Sequence, residues 1–247
     1  MVRLHVASAP EAVGAAGEVS VKGARLHYLR AVLRLREGDA LEVFDGRGGA
    51  YDATVTRLGA DEARLKLGPR REAPPRRRIA VVQGLPKGEK LELVIQKGTE
   101  LGASAFAPAF AARSVVKLDA GRARDRTRRW QAIAEEAARQ CGRADVPEVH
   151  PPRPLVEAVR ALGTARVLVL DEEERSARLA EAHAMAAPSE ALALVVGPEG
   201  GLTREEVAAL AAETGAVPVS LGPLVLRTET AALAALAVLR YLDGELG

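Results

Sequence analysis

The 247-residue chain has no asparagine, one cysteine, two methionines and seven aromatic residues. The lone Cys141 excludes an internal disulfide and suits a reducing compartment. The four histidines, His5, His27, His150 and His183, lie far apart with no cysteine or histidine partner at ligand spacing, so no metal site is expected. The longest apolar runs, such as Ala231 to Leu239, are too short to span a bilayer. Met1 leads into Val2, Arg3 and Leu4 with no apolar secretory core behind them, and a cytoplasmic chain is expected. With so few aromatics, base stacking across a sheet is disfavoured, and any nucleic acid would be held through phosphates and shape. Scarce thermolabile side chains and an excess of arginine over lysine fit heat adaptation, although a GC-rich genome leaves the same bias.

What is present is the balance of a folded protein, with 48% hydrophobic and 28% charged residues. The length allows one large domain or two ordinary ones. The net charge of +2 hides an asymmetry: residues 1–150 carry 27 basic against 19 acidic residues, and residues 151–247 carry 8 against 14. One part of the chain is therefore suited to a polyanion and the other to different work.

The strongest linker signal is GPRREAPPRRR, Gly68 to Arg78, rich in proline and arginine. Before it, Leu41 to Phe44 and the alternations Tyr51-Ala53-Val55 and Ala63-Leu65-Leu67 read as short strands. Leu26, Leu29 and Leu33 predict one helix with a basic surface. After the linker, apolar runs at Ile79–Gln83, Val167–Leu170, Leu192–Val196 and Val217–Leu221 alternate with helical stretches around Leu91–Leu101, Trp130–Cys141, Glu205–Ala212 and Ala231–Leu242. This rhythm predicts an α/β domain with a largely parallel sheet. The expected division is residues 1–70, a linker at 71–78, and a second domain at 79–247.

Ligands of open α/β sheets bind at the carboxyl ends of strands. Three loops stand there: Asp171 to Glu174, Gly197 to Leu202, and Gly222 to Thr230. In the second, Thr203 and Glu206 form a capping box that starts a helix directly after the glycines. Neither G-x-x-x-x-G-K-[ST] nor G-x-G-x-x-G is present, and Glu199 disfavours a phosphate, so a cationic or zwitterionic ligand suits this loop better. In the third, Gly222-Pro223 keeps an apolar run from continuing as a strand. Its main-chain groups are then free to meet a flat heteroaromatic ring. Thr228 is a plausible cap for the last helix, with Glu229 in its first turn.

GPEGGLTREE (Gly197 to Glu206) and LGPLVLRTETAALAAL (Leu221 to Leu236) closely resemble the two C-terminal motifs of the RsmE family, the ribosomal RNA uridine-N3 methyltransferases of the knotted SPOUT superfamily. KGEKLELVIQKGTELG (Lys87 to Gly102), RSVVK (Arg113 to Lys117), RWQAIAEEAARQCGRADVPEV (Arg129 to Val149) and HYLRAVLRLREGD (His27 to Asp39) continue the likeness in order along nearly the whole chain. Leu224 departs from it, standing where family members often carry arginine.

The resemblance implies an α/β SPOUT methyltransferase domain with a deep trefoil knot, and a small N-terminal β-barrel-like, PUA-like domain that binds RNA. It implies S-adenosylmethionine as cofactor, held by Leu170, Val196, Gly197, Glu199, Gly200, Leu221, Gly222, Leu224, Val225 and Leu226, with the Glu199 carboxylate near the positive sulfonium. Arg227 is expected to stabilise the uracil oxygens, and Glu229 to orient it or act as base. Arg3, His27, Arg30, Arg34 and Arg113 are expected to contact ribosomal RNA of the small subunit, and the family likeness implies a homodimer. The arginines at 122, 124, 126, 128 and 129 fit a phosphate partner and a solvated helix face equally. A non-catalytic RNA-binding or ribosome-assembly protein, or a knotted methyltransferase acting on another RNA, remains an alternative.

Overall fold

The computed structural model describes residues 2–9, 17–163 and 166–246. Contacts divide the chain into two units, Met1–Pro75 with Ala138–Val146, and Arg76–Ala137 with Pro147–Gly247. The second stretch of the smaller unit was not foreseen from the sequence.

In the smaller unit the strands are β1 (Arg3–His5), β2 (Glu18–Val21), β3 (Ala40–Phe44), β4 (Gly49–Leu58) and β5 (Ala63–Glu72). They form one sheet in the order β1-β3-β4-β5-β2, antiparallel except for the β1–β3 pair. Inward residues from all five, among them Leu4, Val19, Leu41, Tyr51 and Leu65, join Leu26 and Leu29 in one buried cluster. The alternation along β4 and β5 is thus the period-two signature of a sheet with one face on a core. The expected helix is short: α1 (Gly23–His27) passes into a wider turn, Tyr28–Val32, that keeps Leu29 buried. Strand β5 runs further into the expected linker than its prolines suggested. Pro69 falls where the β4–β5 register shifts between Tyr51 and Ala53, so its missing N–H breaks no regular ladder.

The larger unit is built on β6 (Ile79–Gly84), β7 (Ala105–Phe110), β8 (Glu148–Val149), β9 (Arg153–Pro154), β10 (Arg166–Leu170), β11 (Leu192–Val196) and β12 (Val217–Val219). The order is β12-β10-β11-β6-β7-β8, with β9 also on β7, and every pairing is parallel. Strands β6 and β11 are buried throughout, as their continuous apolar runs require of central parallel strands. The helices are α2 (Lys90–Glu100), α3 (Ala120–Cys141), whose residues from Ala138 onward belong to the smaller unit, α4 (Leu155–Arg160), α5 (Leu179–Ala184), α6 (Arg204–Thr214) and α7 (Thr228–Leu242). Helix α3 begins ten residues before Trp130, so the arginine-rich segment forms its first turns. Among the described residues no helix is long and apolar enough to cross a membrane, and no cluster of three or more potential metal ligands occurs.

Candidate active site

Three strand ends, those of β10, β11 and β12, deliver the three loops to one cavity of about 380 Å³. Leu170, Val196, Gly197, Glu199, Leu221, Gly222, Leu224, Val225, Leu226 and Arg227 all line it. So do residues not singled out from the sequence as ligand contacts, including Lys90, Arg175 and Gly201. Gly200 does not belong to the lining. Its carbonyl instead accepts a 2.6 Å hydrogen bond from Arg113 Nη1, and the Arg113 stem packs against it. The turn simply points its next residue, Gly201, at the cavity.

The second loop is shaped by contacts within the protein. Gly201 N–H donates to the Pro198 carbonyl at 2.9 Å, and Thr203 and Glu206 form the expected capping box at the start of α6. Gly201 has φ of 70°, in the left-handed region that favours glycine, and a Cβ there would also oblige the Glu172 carboxylate to move. Beneath the loop, Gln83 is 1% exposed, and its Nε2 donates to Thr228 Oγ1 at 2.8 Å and to the Gly197 carbonyl at 3.1 Å. Thr228 Oγ1 also donates to that carbonyl. The expectation that Thr228 caps α7 is thus corrected: the N-cap position is Arg227, and the Thr228 hydroxyl is engaged in joining α7 to the loop.

The third loop is the opposite case. The amides of Leu224, Val225 and Leu226 donate to no other main-chain group among the described residues. Leu224 and Val225 are 77% and 81% exposed. Cavity size, apolar side chains and available main-chain groups together fit a flat heteroaromatic ligand with polar edges.

Charge around the cavity is organised in pairs. Asp171 takes a two-pronged grip from Arg204, both contacts at 2.7 Å, and an N–H from Glu173. The Arg204 hydrogen bonds, outweighing burial, hold its carboxyl below the usual range. For Glu199, burial opposes ionisation, but the Lys90 ammonium at 2.8 Å and main-chain donors that include Lys87 N–H prevail and lower its pKa. Glu199 therefore already has a cation in this structure. Glu229 stands behind the lining. One of its carboxylate oxygens is buried without a hydrogen-bond donor, 3.9 Å from Lys90 Nζ. Arg227, by contrast, has no hydrogen bond or ion pair from its guanidinium among the described residues.

Of the expected RNA contacts, Arg3 is engaged within the smaller unit. Its guanidinium bonds Glu42 and the carbonyls of Ala138, Arg139 and Arg143, and lies 4.7 Å over the Phe44 ring. It is a packing element of the smaller unit. His27 and Arg30 share a surface groove there with Leu26, Ala31 and Asp61. Arg34 is exposed with φ of 53°. In the arginine-rich segment, Arg122, Arg128 and Arg129 are paired with Asp119, Asp125 and Glu92, which favours the reading as a solvated helix face.

A family model described as an RNA methyltransferase domain matches residues 72–240, and one described as an RNA methyltransferase PUA domain matches residues 21–68. A Bacillus subtilis protein named ribosomal RNA small subunit methyltransferase E is 36% identical over 98% of this chain and 96% of its own length. A Mycobacterium bovis protein of the same name is 43% identical over 90% and 86%. The chain belongs to the ribosomal RNA small subunit methyltransferase E family. The Neisseria gonorrhoeae family member, solved bound to S-adenosyl methionine, matches with a TM-score of 0.84 and 32% identity over 98% of both chains. Membership accounts for the smaller, PUA-like unit as well as for the parallel sheet.

Proposed function

We propose that the chain transfers the methyl group of S-adenosylmethionine to N3 of a uridine in small-subunit ribosomal RNA. The observation that carries this reading is the cavity itself: apolar irregular main chain on one wall, and an uncommitted arginine where that wall ends. The names of the relatives and the cofactor bound to the gonococcal protein support the same reading. Leu221 to Leu226 would hold the adenine through main-chain groups, with Leu170, Val196 and Gly197 opposite. The cofactor supplies an electrophilic methyl group on a positive sulfonium. Uracil N3 carries a proton, and its removal spreads negative charge onto the two carbonyl oxygens. Arg227 has its donors available to stabilise that charge and to align the base. Glu229 does not line the cavity, so its part is to position neighbours rather than to touch the base.

The deep knot and the homodimer belong to the same proposal. Supporting a dimer, Leu224 and Val225 in the third loop and Val238, Tyr241 and Leu242 on α7 leave apolar surface exposed. For RNA, Arg30 and Arg34 on the smaller unit and Arg113 near the second loop offer exposed cations, with His27 an exposed hydrogen-bonding ring on the smaller unit. Affinity resting on phosphates falls steeply with salt. The deciding experiment is methyl transfer from labelled S-adenosylmethionine to small ribosomal subunits from cells lacking the modification, read by nucleoside mass spectrometry. Label in 3-methyluridine is the expected result. Label in another nucleoside overturns the specificity, and no label despite cofactor binding overturns catalysis.

A further inference from the structure

Lys90 opens helix α2, where the helix dipole disfavours a cation. Its ammonium is nonetheless directed into the cavity, among the lining residues. It lies 2.8 Å from Glu199 Oε1 and 3.9 Å from Glu229 Oε2, with one ammonium serving two carboxylates. The two are unequally provided for. Glu199 has a second donor in Lys87 N–H at 3.0 Å, whereas Oε2 of Glu229 is buried with no donor. A shift of the ammonium by about 1 Å toward Glu229 would bring that oxygen into hydrogen-bond range. Glu199 lines the cavity directly, and Glu229 does not.

We propose that Lys90 is a shared counter-ion: it neutralises Glu199 until a cationic cofactor takes that place, and then moves to Glu229. The inference rests on the cofactor reading above. Two cations cannot both sit against Glu199 without repelling each other, and the low-dielectric wall of a cavity sharpens that repulsion. Glu229 offers the displaced ammonium a buried oxygen that needs a donor. The exchange tells the first turn of α7, which follows Arg227, that the cofactor is in place. It also makes Lys90 a determinant of charge preference. With Lys90 on Glu199, a positive ligand must displace it; a neutral one need not. Lys90 thus restrains the preference for sulfonium over the uncharged thioether product, and acts as a positioning residue for Glu229.

The test compares dissociation constants for S-adenosylmethionine and for S-adenosylhomocysteine, its neutral product, in the full-length protein by calorimetry. Lys90→Met is expected to raise the preference for the cation roughly three- to tenfold, by tightening S-adenosylmethionine while leaving the product nearly unchanged. Single-turnover methyl transfer should slow in the same variant despite the tighter binding. Lys90→Arg should return the preference toward that of the unmodified chain. Glu199→Gln should bring the two affinities together. A Lys90→Met protein in which both ligands weaken equally, or neither changes, overturns the proposal and leaves the cofactor reading standing. An unmodified protein that binds neither compound overturns both.

Discussion

The second and third loops line the same cavity but are built on opposite principles. In the loop that begins at Gly197, main-chain groups are satisfied from within: Gly201 bonds Pro198, and the Gly197 carbonyl accepts from Gln83 and Thr228. Around Leu224 to Leu226, amides have no main-chain acceptor and two large apolar side chains face outward. Backbone polar groups that leave water need partners, so the Gly197 loop is a finished shape, whereas the amides of exposed Leu224 and Val225 and of Leu226 are donors that a ligand covering them must satisfy. The difference also separates what each can tolerate. A closed loop is damaged by added volume, whereas an open one is damaged by losing its chemistry.

The largest effect expected is therefore from the charge that ends the open loop. Arg227→Ala should lower methyl transfer by about 10²- to 10³-fold, the usual consequence of removing one donor to developing charge. Cofactor affinity should change by less than about threefold, because the Arg227 side chain supports no part of the protein. Transfer rates under saturating cofactor, with binding measured alongside, check both halves. Full turnover in Arg227→Ala would remove it from the mechanism. In the closed loop the counterpart is Gly197→Ala. The added Cβ would meet the Gly201 carbonyl carbon at 2.8 Å and Leu202 N at 3.0 Å, both main-chain atoms that cannot step aside. Overpacking of this kind costs about 1–3 kcal/mol. A lowered Tm together with weakened cofactor binding is expected, unlike the selective loss in Arg227→Ala.

The first loop sharpens the comparison through pH. Asp171 has a depressed pKa, chiefly from Arg204, and its side chain is 3% exposed. A depressed carboxyl contributes stability that is present above its ordinary value, near about 4, and is lost as pH falls through the lower folded value. Unfolding free energy should thus drop more steeply below about pH 4 in the unmodified chain than in Asp171→Asn. Equal slopes would show that the pair adds nothing to folding. Half-exposed Arg204 is screened by water, so the effect is smaller than that of filling the closed loop.

These contrasts also explain what could be read from the sequence. Strand β11 has the bounds expected of it, because five consecutive apolar residues before a glycine turn admit few other structures. The capping box of α6 was legible since both partners lie within one turn. Strand β7, AFAPAF, was not, because alanine and proline carry no β signal. Its Pro108 lies between the stretches of β7 that pair with β8 and β9. Thr228 has the composition of a cap, yet its partner is Gly197, 31 residues away. Arg3 and Arg227 look alike in sequence, and only tertiary partners show that one is committed and the other available. Lys90 and Gln83 escaped notice for that reason: their partners in the cavity wall are more than a hundred residues distant. Local chemistry is written locally, whereas its deployment depends on contacts that the pattern does not encode.

The smallest effect expected is at Leu224, in the exposed part of the open loop. Its side chain is 77% exposed, so little apolar surface is recovered by folding within one chain. Leu224→Ser should therefore change the unfolding free energy of the monomer by no more than about 0.5 kcal/mol, as for surface positions generally. If the loop serves the cofactor through its backbone, affinity for S-adenosylmethionine should also stay within about threefold. A larger loss of affinity would mean that the side chain itself covers the ligand, and the open loop would then be defined by its apolar groups rather than by its amides. Sedimentation of the same variant separates a third possibility, because a polar group in a buried subunit contact shifts association and leaves the isolated chain's stability untouched. Unchanged affinity fits a loop that presents main chain to its ligand, and a changed association state beside it would place the Leu224 side chain in the subunit contact instead.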